Sequence, residues 1–423
     1  MHLHRFLFAL AFIMPPLARA DLIVDWNQRA SAAIVAEGPS VSGNPIAMAR
    51  ALAIMHLAML DAIVACDPSF NHDTPALPRE TNANPQAAAH AAARTVLAAL
   101  YAGQEKTVEE YYADAMAAIP EGDGKASGAA LGEKAARLRL AQRQADGTFG
   151  SPDTYRPFTS PGTYVPTGLP VVSNIALRKP FVMQSNSQFR PGPPPSLDST
   201  TWSRDFNETK EWGAVDSKRR SAWQTETARF WEQLGPPAWN SVARSLSAGQ
   251  SMPLAQRARV FALLNMAMFD AYLAVFDTKY HYHFWRPITA IRNGDRDGYD
   301  ATERDPAWRP LIDTPPHPEY PCAHCAADGA ASVVLKSAYG AGKLPPFKLT
   351  FLAMPDVTRE YDSIQQMQSE IFMARIWGGV HFRHSNEVGE ALGTRIGDYV
   401  AKTALTAAPS LAKEVQGRPT RSR

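Results

Sequence analysis

The sequence has little of what would assign it quickly to a class of protein. Its 423 residues include only three cysteines, Cys66, Cys322 and Cys325, which excludes a scaffold built on disulfides. It has no basic run and no interleaving of basic with aromatic residues, and its formal net charge is only +2, so nothing points to nucleic acid. A site for an anionic ligand must therefore be local.

Long apolar runs are scarce beyond the N-terminus. His2, His4 and Arg5 precede a short apolar run, and Ala18–Ala20 fits a small-x-small cleavage site. The run is too short for a comfortable membrane span, which favours a signal peptide over an N-terminal anchor. We identify no other stretch that approaches 18 apolar residues. We therefore expect an exported protein, periplasmic or secreted after cleavage near Ala20, whose mature chain has no stable membrane span.

Sustained alternation of apolar and polar residues, which marks a half-buried strand, is also missing. Stretches rich in alanine, leucine and methionine dominate instead, and their spacing is helical. The sequence therefore predicts an all-α fold. The helical stretches are Ile46–Cys66, Ala87–Ile119, Ala126–Gln144, Ala255–Phe276 and Ala326–Tyr339.

One helical stretch recurs at a constant offset, since residues 49–62 resemble residues 258–271. This indicates a duplicated helical unit, with convergent alanine-rich composition as the alternative. We predict two packed helical bundles, with an oxyanion site in the C-terminal one. A proline-rich segment between them is expected to be ordered, with a disordered linker as the alternative. The predicted parts are a signal peptide (1–20), an N-terminal bundle (21–150), the proline-rich connection (151–205), a C-terminal bundle (206–405) and a flexible tail (406–423).

Residues able to do chemistry concentrate in the C-terminal half, in three short segments. The first runs from Lys279 to Pro287 and contains Arg286. A helix would place Lys279 and Arg286 on one face, two turns apart. Two cations suit an anion with several oxygens, and arginine can bind two of them at once. A solvated basic face is the alternative.

The second segment runs from Pro315 to Cys325. Its prolines stop before an alanine-rich stretch, so a helix should begin near Cys322. The free N–H groups and the dipole of that helix would form an anion pocket. His324 lies in the first turn and could act as a general acid or base, and His317 could line the pocket. A hydrogen-bonded structural histidine is the alternative.

The third segment contains Arg375 and His381. A helix from about Val357 should end at Gly378–Gly379. Arg375 would then lie in the last turn and His381 just beyond it. This supplies a third cation and an imidazole that could act as nucleophile or ligand, although Arg375 could equally be a favourable charge at a helix C-terminus.

Together, the three segments resemble the signature K-x6-R-P, P-S-G-H and R-x5-H of the vanadium haloperoxidase and phosphatidic acid phosphatase type 2 superfamily. The order and spacing agree, as Lys279…Arg286-Pro287, Pro321–His324 and Arg375…His381. The aromatic Phe284-Trp285 pair and the 318–321 run are more similar to the haloperoxidase branch.

The resemblance implies one pocket for vanadate, which phosphate can also occupy. Its oxygens would be bound by Lys279, Arg286, Cys322, Ala323 and Arg375. His381 would bond to the central atom, either as the vanadium ligand of a haloperoxidase or as the nucleophile of a phosphatase that forms a phosphohistidine. His324 would handle protons. The implied partners are hydrogen peroxide and a halide, which becomes a hypohalous species, or a phosphate ester.

The sequence departs from the signature at three positions. Cys322 replaces a serine, and a thiol is the poorer hydrogen-bond donor. Ala323 replaces a glycine, and its methyl group narrows the approach of the anion. Ser385 stands where an aspartate often follows the second histidine, so we expect His381 to be less firmly oriented, unless Ser385 caps a helix near Asn386. Because the cations and both histidines remain, we favour an altered site over a dead one.

Other interpretations stay open. Hydrolysis of a soluble phosphate ester is the nearest. Cys322 and Cys325 form a C-x-x-C pair that could define a thiol redox protein, and a disulfide there would compete with anion binding. A zinc or copper site is another alternative, built from His281, His283, His317, His324, His381 and the two cysteines. A non-catalytic scaffold with a relic pocket also remains, and the oligomeric state is open.

Overall fold

Helices account for most of the regular structure in the computed structural model. It describes residues 21–38, 43–67, 77–146, 155–174, 177–232 and 235–405. The predicted signal peptide and the predicted tail lie outside these residues. The all-α prediction is confirmed for the described residues, apart from a small hairpin.

The helices are named here in chain order. They are α1 (Leu22–Ala36), α2 (Pro45–Cys66), α3 (Pro85–Leu100), α4 (Glu105–Ala117), α5 (Asp123–Gln142), α6 (Thr200–Gly213), α7 (Ala222–Phe230), α8 (Gly235–Ser247), α9 (Leu254–Tyr282), α10 (Pro287–Arg292), α11 (Ala323–Tyr339), α12 (Ile364–Trp377) and α13 (Arg383–Thr403). Strands β1 (Phe347–Phe351) and β2 (Met354–Tyr361) pair antiparallel.

Local sequence explains where several helices begin. Asn44 and Asn84 each accept hydrogen bonds from the first turn through a side-chain oxygen, and a proline follows each of them at the first helical position. One predicted boundary was wrong. The single helix expected over Ala87–Ile119 is two helices, α3 and α4, because the chain leaves helical geometry at Tyr101.

The hairpin corrects another prediction. Val357 lies in β2 and not at the start of a helix, and α12 begins only at Ile364. Residues of β1 alternate between core and solvent, with Phe347, Leu349 and Phe351 buried. Alternation was therefore present over five residues, which is too short to stand out beside the long helical stretches.

The two long apolar helices form the centre of the fold. α2 and α9 pack against each other; α2 also packs with α3 and α5, and α9 with α11 and α13. Both are long and apolar enough to cross a membrane by length and composition, so our expectation that no second stretch approaches 18 apolar residues was wrong. In each, 94% of the apolar window is buried inside the protein, which accounts for its composition.

A buried polar network links the two halves. Asn27 Nδ2 donates to Asn240 Oδ1 at 2.7 Å and lies 3.0 Å from His56 Nε2. Asn240 and Asn265 exchange side-chain hydrogen bonds of 2.9 and 3.0 Å. Burial lowers the pKa of His56 to about 3, so its imidazole is neutral at physiological pH.

Glycines set the spacing between α11 and α13. Gly389, Gly393 and Gly397 lie one turn apart on α13 and face α11, and a Cβ at Gly389 would come within 2.6 Å of the Cys322 carbonyl oxygen. A glycine also allows close backbone packing between α3 and α5, since a Cβ at Gly128 would lie 2.5 Å from the Asn84 carbonyl oxygen. Close backbone packing thereby fixes α13 against the start of α11.

Candidate oxyanion site

Lys279 and Arg286 do not share a helix face, so that prediction was wrong. α9 ends at Tyr282, and His283 adopts a left-handed conformation (φ 52°) in which its N–H donates to the Lys279 carbonyl at 2.9 Å. The chain turns there, and Arg286 lies in extended backbone just before α10. The Tyr164 N–H donates to the His283 carbonyl at 2.6 Å, so the connecting segment secures the turn.

Arg286 is fully buried and joins the three predicted segments. Its Nε donates to the His317 carbonyl and its Nη1 to the Val380 carbonyl, both at 2.8 Å. Its Nη2 lies 2.9 Å from Nδ1 of the His317 ring. Burial lowers the pKa of Arg286 to about 10, which still leaves it charged at neutral pH. The sequence raised His317 as a residue that could line the pocket, and the structure places it against Arg286.

Lys279 is also fully buried. Its Nζ donates to the carbonyls of Pro318 (2.9 Å) and Glu319 (2.7 Å), which ties α9 to the second segment. Burial lowers the pKa of Lys279 well below its ordinary value, Arg286 lowers it further, and Glu319 opposes both. An anion bound nearby would favour the protonated amine.

The second segment starts a helix where the sequence predicted. Cys322 is the N-cap of α11, and its Sγ accepts a hydrogen bond from Cys325 N at 3.3 Å. The Cys322 N–H donates to the Ser385 carbonyl at 3.0 Å, which couples the start of α11 to the first turn of α13. Ala323 follows, and His324 lies half-buried in the first turn.

The two thiols of the C-x-x-C pair are buried and in contact. Cys325 Sγ lies 2.8 Å from Cys322 Sγ, and both cysteines are free. Burial raises the pKa of Cys322, but the hydrogen bond from Cys325 and the charge of Arg375 outweigh it, so the net direction is downward. Burial and the neighbouring Cys322 sulfur raise the pKa of Cys325.

Arg375 lies in the last turn of α12, which ends at Trp377 before Gly378–Gly379 as expected. Its side chain is buried, and its Nη1 donates to the Trp231 carbonyl at 3.0 Å. Its Nε is buried and has no hydrogen-bond partner among the described residues. A buried guanidinium N–H of this kind is suited to an oxygen ligand.

His381 follows this helix and faces Arg286. Its Nε2 lies 3.3 Å from Arg286 Nη1, and its Nδ1 lies 2.7 Å from Glu319 Oε1. Burial lowers the pKa of His381 well below its ordinary value, and Arg286 and Lys279 lower it further. The ring is therefore neutral. Nδ1 donates its proton to the Glu319 carboxylate, and Nε2 keeps its lone pair among the cations.

Glu319 is the site residue that we did not predict. It is fully buried, and its Oε1 also accepts from Phe382 N at 3.1 Å. Burial raises the pKa of Glu319 to about 7, opposed by Lys279 and Arg286. The only sequence signal was a carboxylate next to the second segment, and its partner is 62 positions away.

Ser385 does not cap a helix. α13 already begins at Arg383, and the Ser385 Oγ is buried without a hydrogen-bond partner in the described part of the chain. The N–H of His384 is instead satisfied by Asp205 Oδ2 of α6, at 2.7 Å. The expected cap near Asn386 was wrong because side chains from other elements bind the first turn.

His281 and His283 make other contacts. The His283 ring packs against Phe158 at 4.8 Å, and the His281 ring packs against Tyr282 at 4.7 Å. Across the described ranges, no group of three or more histidine, cysteine, aspartate or glutamate residues is arranged to hold a metal ion.

The donor set fits a tetrahedral oxyanion such as vanadate. Lys279, Arg286 and Arg375 are buried cations that act together on His381, whereas Glu319 has a raised pKa. Buried positive charge is costly unless a negative group compensates it. The partnerless Arg375 Nε supplies one donor for that group. The fold is helical, and the buried cations form a candidate site for an oxyanion.

Comparisons with known proteins agree with this class. Residues 259–408 match the family model of the VCPO second helical-bundle domain. Vanadium chloroperoxidase from Curvularia inaequalis is 28% identical over 152 residues, which cover 30% of this chain and 24% of that protein. The chain thus matches about a quarter of the length of its curated relative.

Two solved structures share the fold over most of the chain. A bacterial vanadium-dependent iodoperoxidase superimposes with a TM-score of 0.73 at 23% identity, covering 92% of this chain and 97% of that one. A bacterial vanadium-dependent chloroperoxidase gives a TM-score of 0.71 at 17% identity, with 89% and 95% coverage. The chain is thus similar to vanadium haloperoxidases, in sequence over part of its length and in fold over most of it.

Proposed function

We propose that this chain is a vanadate-dependent, haloperoxidase-like enzyme that oxidises a halide with hydrogen peroxide. The observation that carries the proposal is the neutral His381, whose Nε2 lies 3.3 Å from Arg286 Nη1 and whose Nδ1 is occupied by Glu319. A lone pair directed at buried cations suits the bonding of a cationic metal centre within an oxyanion.

Each side chain then has a defined task. Lys279, Arg286 and Arg375 would bind the anion's oxygens and balance its charge, and His381 Nε2 would bind the vanadium. Bound vanadate supplies Lewis-acid activation of hydrogen peroxide. His324, half-buried at the start of α11, would transfer protons to and from the bound substrate as a general acid or base.

The altered motif is compatible with this function. Cys322 takes over the N-cap role, which a serine hydroxyl would otherwise fill, by accepting from Cys325 N. Ala323 keeps its backbone N–H and adds one methyl group. The loss is therefore one good hydroxyl donor, and we expect reduced activity instead of none.

The test uses mature protein freed of phosphate. Bromide and iodide oxidation by hydrogen peroxide is followed with and without added orthovanadate, and His381→Ala is the matched control. Turnover that requires both vanadate and His381 supports the proposal. Phosphate-ester hydrolysis without halide oxidation would identify the protein as a phosphatase. Binding of neither vanadate nor phosphate would indicate a relic pocket without activity.

We further propose that the chain is exported and that residues 1–20 are its signal peptide. The support is the apolar run followed by Ala18–Ala20. Expression of the full chain in a bacterium, with N-terminal sequencing of the periplasmic fraction, tests it. A mature N-terminus at Asp21 is expected, and retention of Met1 on membrane-bound protein contradicts it.

A further inference from the structure

We infer that Glu319 positions His381 and thereby replaces the carboxylate that Ser385 does not supply. The inference rests on the proposed oxyanion site, and it concerns a residue outside the three signature motifs. Relatives often carry an aspartate at the position of Ser385, as the resemblance implies. Here the carboxylate reaches the same imidazole from the opposite segment of the site.

One oxygen of Glu319 holds two consecutive residues. Its Oε1 accepts from His381 Nδ1 at 2.7 Å and from Phe382 N at 3.1 Å. The first bond selects the tautomer with the proton on Nδ1, and the second fixes the backbone that carries the ring. Rotation of the imidazole would break the first bond in the buried interior, where the loss of a hydrogen-bond partner is costly.

The backbone of Glu319 is itself fixed on both sides. Its N–H donates to the Phe284 carbonyl at 2.9 Å, and its carbonyl accepts from Lys279 Nζ at 2.7 Å. The residue is thus anchored to the segment that carries two of the cations. His381 is thereby held in register with Lys279 and Arg286.

Ser385 lies close to Glu319, but it is Glu319 that accepts the hydrogen bond from His381 Nδ1. Ser385 is buried, and its hydroxyl lies near Glu319, where it favours the charged carboxylate. A carboxylate introduced at position 385 would therefore enter the same neighbourhood. This makes a relocation experiment possible.

The experiment compares Glu319→Met with wild type in the mature protein, because methionine keeps the volume but removes acceptor and charge. Affinities for orthovanadate and for phosphate are measured by calorimetry without peroxide. Positioning predicts orthovanadate binding that is about 10–100-fold weaker, as for other outer-shell partners of a ligand. Phosphate, held by the cations without a bond to His381, should bind as well as before or more tightly, because a negative charge has been removed.

Rescue separates positioning from folding. Glu319→Met/Ser385→Asp should regain most of the orthovanadate affinity, whereas the uncharged control Glu319→Met/Ser385→Asn should not. Equal weakening of both anions together with a lower Tm would show a purely structural role and overturn the inference. Tighter binding of both anions would show that Glu319 acts only through its charge, and would also overturn it.

The tautomer of His381 gives a readout that needs no anion. With ¹⁵N-labelled histidine, and His381→Ala for assignment, we expect the Nδ1–H form alone in wild type and a mixture of tautomers in Glu319→Met. If wild type binds neither anion, the proposed function fails, and the tautomer still decides the role of Glu319. An unchanged tautomer in Glu319→Met would refute the inference.

Discussion

The contact between α13 and the start of α11 should control the geometry of the site, and Gly389→Ala tests this. The new Cβ would lie 2.6 Å from the Cys322 carbonyl oxygen, whereas real Cβ contacts are essentially never under 3.0 Å. Cys322 must therefore move by about 0.5 Å relative to α13. Because a 1 Å misplacement can cost about 100-fold, we expect roughly tenfold weaker orthovanadate binding.

The change in stability should be modest. Overpacking costs about 1–3 kcal/mol, but replacing a mid-helix glycine with alanine recovers up to about 1 kcal/mol. Gly128→Ala is the matched control, since its Cβ would lie 2.5 Å from the Asn84 carbonyl oxygen in the N-terminal half. It should lower the urea midpoint to a similar extent and leave anion affinity unchanged.

Affinity is measured by calorimetry at a temperature where all variants are folded. If Gly389→Ala binds orthovanadate as wild type does while its unfolding midpoint falls like that of Gly128→Ala, helix spacing does not set the site. If Gly128→Ala also binds orthovanadate more weakly, the loss of affinity reflects the lower global stability and not the spacing of α11 and α13, and the prediction is refuted.

Three further predictions follow from the same structure. His381→Ala should abolish vanadate-dependent halide oxidation, and normal turnover in that variant would refute the proposed role of His381. Cys322→Ser should raise kcat, because a hydroxyl keeps the N-cap and donates better than a thiol; a loss of activity would instead show that the thiol has its own role. Burial lowers the pKa of His56 to about 3 in the folded chain. In the unfolded chain His56 takes up a proton near pH 6.5, at which the folded chain keeps it neutral. His56 alone should then lower the stability by about 3 kcal/mol at pH 4 relative to pH 8, in addition to the contributions of other buried neutral histidines such as His90 and His381. The loss of stability with falling pH, measured by urea unfolding, should be smaller by about 3 kcal/mol in His56→Gln.

Sequence patterns predicted most of the helices and singled out most residues of the candidate site. The core helices α2 and α9 stood out as long stretches rich in alanine, leucine and methionine, because burial in a bundle requires apolar residues on every face. The cations and the histidines stood at fixed spacings within short segments, so they could be recognised one segment at a time. The start of α11 and the end of α12 followed from proline and glycine, whose backbone preferences are local.

Tertiary structure decided how those segments meet. The left-handed His283 turns Arg286 away from the helix face of Lys279, and the turn is held by residues of the distant connecting segment. Glu319 binds His381 across 62 positions, and Asp205 satisfies the first turn of α13 from α6. Such partners depend on which elements pack together, because a buried N–H can donate to any suitable oxygen that folding brings close to it. Spacing along the chain therefore located the ionisable groups, and only packing determined their partners.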